Sequence, residues 1–161
     1  MREFIQGQYR FEPLIGSCGP YLTNPHYQIL DRIAQRWLLS LIKPTFKHII
    51  SKQCLHIHGP SVIAKAKTWL QNQLKLGQYH YVIRLDIKQY YVSIDQDILM
   101  TQVMDHFDDP RVINYLKQII CYTTERFGEI FHSDKGISRN SSLSGFLAAL
   151  YLTKLDRVFE K

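Results

Sequence analysis

Apolar residues recur at helical spacing in five stretches of this chain and alternate in a sixth. Leu30, Ile33, Trp37, Leu38 and Leu41 make the first helical stripe. Asn24 followed by Pro25 predicts its start, and Pro44 predicts its end. Asp31, Arg32, Gln35 and Arg36 fall largely off that stripe, and a solvated helix face is the plain reading of Arg32. Ser61 caps a second helix, with Ile63, Ala66, Leu70 and Leu74 apolar and Gly77 as its stop. Ser93 with Gln96 reads as a capping box for a third, which carries Ile98, Leu99, Val103 and Phe107. Asp109-Pro110 opens a fourth, with Val112, Ile113, Leu116, Ile119 and Ile120. In the fifth, Leu143, Phe146, Leu147, Leu150 and Leu155 are expected to face a core.

The alternating stretch is YHYVIRLD. Tyr79, Tyr81, Ile83 and Leu85 would line one face of a strand, and His80, Val82, Arg84 and Asp86 the other. The pattern breaks at Asp86, which places a carboxylate at the lip of a sheet. Aspartates also end strands simply by starting turns, and that is the plainer reading of this position. TERFGEIFHSDKG predicts one or two short strands joined by a turn. Residues 1 to 24 hold Gly7, Pro13, Gly16, Gly19 and Pro20, and read as loops with a short strand around Tyr9 to Phe11.

A chain of 161 residues is the size of one domain and can bury a core. No apolar run approaches a membrane span, and the N-terminus MREFIQGQYRF has no signal-like apolar region, so no membrane partner is expected. Cys18, Cys54 and Cys121 are odd in number and form no Cys-x-x-Cys pair, which suits a reducing cytoplasm. A net charge of +6 favours an anionic partner, with nucleic acid the commonest, although the basic residues are dispersed along the chain. Cys54, His56 and His58 would share one face of a strand and could meet a zinc or copper ion. Against that stand the lack of a fourth ligand nearby in sequence and a spacing that is not a usual zinc pattern, so an ordinary loop is the plainer reading.

Asp86-Ile87-Lys88-Gln89-Tyr90-Tyr91, followed by Ser93-Ile94, resembles the first catalytic motif of reverse transcriptases. Its wording is closest to the enzymes of group II introns, retrons and related bacterial retroelements. Ile29 to Gln35 is similar to that family's L-x-D-R-x-x-Q motif, in which the arginine, here Arg32, grips the phosphates of the incoming nucleotide. Gly136, Ser144, Leu147, Ala148, Tyr151, Leu152, Leu155 and Asp156 match the second palm motif. Ser138, Arg139, Asn140 and Gly145 depart from it, where proline, glutamine, glycine and proline are usual. Arginine replaces the glutamine in some bacterial members. Asn140 puts in question a loop that normally has glycine's freedom.

The resemblance covers most of the chain. It implies an α+β fold, the fingers and incomplete palm of a polymerase right hand, with helices packed on a small antiparallel sheet. Residues 1–78 would be fingers, 79–97 the first part of the palm, 98–133 fingers again and 134–161 the second part of the palm. It further implies an RNA-directed DNA polymerase that uses an RNA template, a DNA or RNA primer, dNTP and two Mg2+ ions. Asp86 would bind metal with the backbone carbonyl of Ile87 beside it. Arg32, Tyr91, Arg139 and Ser144 would meet the nucleotide, with Tyr91 excluding a 2′-hydroxyl. The family's remaining metal-binding aspartates lie in a Tyr-x-Asp-Asp hairpin that these residues do not contain, and Asp108-Asp109 precedes a proline-capped helix on the wrong side of the motif. The chain is therefore expected to be an N-terminal fragment, inactive alone. Two rival readings are a non-catalytic RNA-binding module on the same fold, which would not need Asp86, and a helical protein-interaction domain with chance matches.

Overall fold

The computed structural model describes residues 2–16, 26–52, 54, 57, 62–77, 79 and 81–160. In chain order the elements are α1 (Arg2–Ile5), β1 (Leu14–Ile15), α2 (Ile29–Ile49), α3 (Val62–Lys75), α4 (Tyr90–Ser93), α5 (Gln96–Met104), α6 (Pro110–Ile120), β2 (Thr123–Arg126), β3 (Glu129–His132) and α7 (Ser144–Phe159). The fold is α+β: a helical body with a small three-stranded sheet in the order β1-β2-β3. The sheet is mixed rather than antiparallel. β1 runs parallel to β2, a pairing that the long helical connection α2–α6 between them permits, and β2 and β3 form an antiparallel hairpin. Phe127 and Gly128, both at positive φ, make its two-residue turn. Among the described residues no helix is long and apolar enough to cross a membrane.

The core joins Leu38, Ile42 and Phe46 of α2, Leu99 and Val103 of α5, Tyr115, Leu116, Ile119 and Ile120 of α6, and Leu147 to Leu150 of α7. α5 packs on both α6 and α7, and α7 on α2. Each buried side chain of this size contributes about 1.5–3 kcal/mol relative to exposure. Of the α6 stripe, Leu116, Ile119 and Ile120 are buried and Val112 and Ile113 half-buried, with Asp109 accepting from the Arg111 N–H at 2.8 Å and Pro110 in the first turn. Tyr115 joins that face because its hydroxyl donates to the Phe4 carbonyl at 2.8 Å, so the phenol is paired as well as buried.

Five expectations need correction. First, α2 buries a different face from the one its apolar spacing suggests. Asp31, Gln35, Leu38, Ile42 and Phe46 are buried, whereas Leu30, Ile33 and Leu41 are exposed. Two polar residues go inside because both find partners there, as described below. Second, α2 continues through Pro44. Pro44 is exposed, so its missing N–H costs one bond on the solvent side, while Ile42, Phe46 and Ile50 hold the helix to the core. The predicted start, Asn24-Pro25, lies outside the described residues, as does Ser61 before α3.

Third, Ser93 does not cap α5. The cap is Asp95, whose carboxylate accepts from the N–H groups of Asp97 at 3.0 Å and Ile98 at 3.1 Å. The Ser93 hydroxyl instead bonds back to the Gln89 carbonyl at 3.0 Å, and Gln96 turns inward. Ile98 and Leu155, both expected to face the core, lie exposed on the outer faces of α5 and α7. Fourth, Tyr9 to Phe11 is not a strand. The Gln118 side chain pairs with it instead, accepting from Phe11 N at 3.1 Å and donating to Tyr9 O at 3.4 Å. Fifth, residues 81–87 join no sheet. Tyr81, Val82, Ile83 and Leu85 are each at least 67% exposed, so the alternation survives without a partner to bury it.

Candidate functional site

A sharp turn organises the site. Gln89 takes a left-handed conformation, φ 53 and ψ 36, and leads directly into α4. A non-glycine residue there carries about 1–2 kcal/mol of strain. Its carbonyl accepts from Val92 N, Ser93 N and the Ser93 hydroxyl, and these bonds offset that strain. The turn sets the half-buried Tyr90 and Tyr91 side by side, ring centroids 5.7 Å apart. The Tyr90 hydroxyl donates to the Ala148 carbonyl of α7 at 2.5 Å. Burial first, and then the neighbouring tyrosines Tyr91 and Tyr151, push that phenol well above its ordinary value. Tyr90 is therefore an uncharged strut that fixes the turn to α7.

The loop before α7 closes on this turn from the other side. Gly136 N donates to Ile94 O at 2.7 Å, and Ile137 N to Tyr91 O at 2.8 Å. The Gln96 side chain holds the Gly136 carbonyl at 2.8 Å. Gly136 has φ +82, and a Cβ there would meet the Val92 Cα at 2.8 Å, so only glycine allows this approach. Arg139 then lies over the Tyr91 ring, its guanidinium carbon 5.6 Å from the centroid, a cation–π contact at an exposed edge.

Serine hydroxyls shape the rest of the loop. Ser138 Oγ accepts from Asn140 N and Ser141 Oγ from Leu143 N. The Ser144 hydroxyl, buried, donates to the Ser138 carbonyl. Asn140 is not among the residues at positive φ, so this loop does not call on glycine's freedom at that position.

α2 supports the loop from behind. Gln35, fully buried, accepts from Ser142 N at 3.1 Å. One turn earlier Asp31, also buried, accepts from the Tyr9 hydroxyl at 2.6 Å and from Glu12 N at 3.2 Å. Burial, then the hydrogen bond to Asp31, raises the Tyr9 phenol well above its usual range. Asp31 thus locks the N-terminal segment to α2 while Gln35 locks the loop. Arg32, between them in sequence, is exposed. Sequence spacing missed both locks. The i, i+4 separation of Asp31 and Gln35 was the signal, because it puts two polar groups on one helical face.

Of the expected site residues, the fold brings Tyr91, Arg139 and Ser144 together around one loop, and Gln35 ties the helix of Arg32 to that loop. Asp86 and Ile87 lie on the unpaired segment and are exposed. Among the described residues no three His, Cys, Asp or Glu side chains gather where a metal ion could be held. Two magnesium ions a few ångströms apart need several carboxylates, so the described residues do not by themselves make up such a site. His56 and His58 lie outside the described residues. Burial, with the Asp156 carboxylate adding to it, pushes the Cys54 thiol up to about 11, so it stays protonated at neutral pH.

No family model matches the chain, and no curated protein matches it. Solved structures that share its fold include two complexes. A chain of a "Partial Cas6-RT-Cas1--Cas2 complex" superposes with a TM-score of 0.61 at 20% identity, over 99% of this chain and 28% of that one. A chain of a "Cas6-RT-Cas1--Cas2 complex" gives the same TM-score and identity over 99% of this chain and 18% of its own length. This chain therefore spans less than a third of either relative, and at that identity the likeness is one of fold.

Proposed function

We propose that these residues are the fingers and the first part of the palm of a reverse transcriptase. Residues 1–78 and 98–133 are the fingers in this reading, and 79–97 and 134–161 the palm. Asp86 is its one metal-binding carboxylate among the 161 residues, with the Ile87 carbonyl beside it. Tyr91 is the sugar-facing gate, Arg32 and Arg139 face the nucleotide phosphates and base, and Ser144 keeps the loop closed. The observation that carries the reading is the closure of the loop from Gly136 to Ser144 onto the Tyr91 turn, braced by Gln35. It makes one place of three stretches that the resemblance picks out separately. The RT named in the two fold relatives supports it.

Bound magnesium, held jointly with carboxylates from outside these residues, would supply the charge that stabilises phosphoryl transfer. This chain's own part is to hold the nucleotide. Arg32 offers a planar fork to phosphate oxygens. The Tyr91 ring, beside Tyr90 and under the Arg139 guanidinium, would stand against the sugar and exclude a 2′-hydroxyl. A second reading, a non-catalytic nucleic-acid-binding module, is favoured by one observation: Asp86 is exposed, and no carboxylate cluster forms with it among the described residues.

The two readings part in one experiment. The chain is fused to a reverse transcriptase's Tyr-x-Asp-Asp hairpin and thumb, and RNA-templated primer extension is measured with magnesium. Extension that Asp86→Ala abolishes, and ribonucleotide insertion that Tyr91→Ala increases, are the expected results. A folded fusion whose extension ignores Asp86→Ala overturns the polymerase reading. One that binds RNA but never extends supports the binding module.

A further inference from the structure

Dispersed along the sequence, the basic residues of α2 converge once the helix is built. At about 100° per residue, Arg32, Arg36, Lys43 and Lys47 fall within about 60° of one another on the helix surface. All four are exposed. They run for roughly 22 Å along the axis at 1.5 Å per residue. At the far end the stripe opens into a cleft of about 430 Å³, lined by Lys47, His48, Lys52, Thr153, Arg157 and Glu160 among others. Glu160 is the one acid on that lining, and it accepts a hydrogen bond from Ser51. Among the described residues, none of Arg32, Arg36, Lys43, Lys47, Lys52 and Arg157 forms an ion pair. Lys43 and Lys47 also border a smaller cavity, about 160 Å³, walled by Ile57 and the ring of Phe146.

We infer that this track is a binding site for the phosphodiester backbone of a nucleic-acid strand, running from the Arg32 end of α2 to the Lys47–Lys52–Arg157 cleft. Like charges placed in a row repel, and a polyanion relieves that along the whole row, which a single small anion cannot do. A line of cations along one helix face, about 6–10 Å apart at 1.5 Å per residue, matches a linear array of phosphates better than the irregular charge of an acidic protein surface. The cavity beside Lys43 and Lys47 adds an aromatic wall for an unpaired base, which favours a single strand. The inference shares only Arg32 with the polymerase reading, which gives that arginine to the nucleotide phosphates; Asp86 and Tyr91 take no part in the track, and the lysines tested below belong to the track alone.

The test is binding of the 161-residue chain to a labelled mixed-sequence RNA oligonucleotide across a salt series. The triple variant Lys43→Gln, Lys47→Gln, Lys52→Gln should bind at least tenfold more weakly and lower the log–log salt slope by about 2, at about 0.7 per phosphate contact. The triple Lys65→Gln, Lys67→Gln, Lys75→Gln on α3 removes the same charge and should keep both affinity and slope. Lys43→Arg, Lys47→Arg, Lys52→Arg should bind as the parent does, which separates lost charge from lost fold. Equal losses from the α2 and α3 triples would mean that net charge alone acts, and would overturn the track. Competition by polyglutamate or inorganic phosphate as effective, charge for charge, as RNA would overturn the phosphodiester assignment. RNA binding of the lysine variants reads the track, and extension by the fusion reads the polymerase proposal, so failure of one and failure of the other give different results.

Discussion

Gly136→Ala tests the contact that brings the two halves of the site together, and its cost can be worked from the structure. Gly136 has φ +82, where an alanine is strained by about 1–2 kcal/mol. The new Cβ would lie 2.8 Å from the Val92 Cα, 3.0 Å from the Tyr91 carbonyl oxygen and 3.1 Å from that of Val92. These are backbone atoms and cannot rotate away. Relief requires the 136–137 segment to retreat, which stretches the bonds Gly136 N to Ile94 O and Ile137 N to Tyr91 O. Each bond is worth about 0.5–1.5 kcal/mol net, so the total cost is about 2–5 kcal/mol. Gly128→Ala is the matched control. It has φ +79 with nothing within 4 Å of the added Cβ, so it carries the strain alone, about 1–2 kcal/mol. Urea unfolding of both variants beside the parent, compared at a common slope, gives the difference. Equal losses at the two glycines would refute the close approach and leave Tyr91 unsupported by the loop.

Two further outcomes follow from the helix starts. Asp95→Ala should cost about 1 kcal/mol and Asp95→Asn much less, since asparagine also accepts from the first-turn N–H groups; urea midpoints that fall equally for both would remove the capping role. At α6, hydrogen bonds from the Arg111 side chain, then its backbone N–H, hold the Asp109 carboxyl below its usual 3.8. A carboxyl depressed by folding adds stability above its unfolded value and loses it as pH falls through the folded one. Asp109→Asn should therefore melt lower than the parent at neutral pH and converge with it in acid, in thermal melts from pH 7 to 2. A gap that widens toward acid would contradict the assignment.

What the sequence made legible is what depends on local chemistry. Asp109-Pro110 starts a helix because cap and proline act within one turn, and the Phe127-Gly128 turn joins two strands for an equally local reason. The misreadings come from partners far along the chain. Asp31 and Gln35 look like solvent-facing residues until Tyr9, Glu12 and Ser142 are in place to bond them. Ser93 and Asp95 are both competent caps, and the choice falls to Asp95 because Gln96 is drawn to the Gly136 carbonyl. The site was legible as three motifs, but the contacts of Gly136 with Tyr91 and Val92 that join two of them leave no trace in either stretch.

Asp86 shows how far a motif can outrun the structure that would use it. Its neighbours Tyr81, Ile83 and Leu85 keep the alternation of a strand, each more than 80% exposed, with no ladder partner. Ordering a backbone residue costs about 1–2 kcal/mol, and an unpaired segment has neither ladder bonds nor burial to offset it. Burying those side chains would return about 1.5–3 kcal/mol each. Pairing of residues 81–87 and placement of the Asp86 carboxylate are therefore one event. In the absence of that pairing the carboxylate stays hydrated, and in the proposed reading a magnesium ion would have to give up its own water to reach it. The Tyr91 turn needs no such event, because Gly136, Gln96 and Ala148 already hold it. Under the proposed function the two ends of one short motif thus differ in kind: the end assigned to the nucleotide is held within the fold, and the end assigned to the metal lies on a segment that pairs with no strand among the described residues.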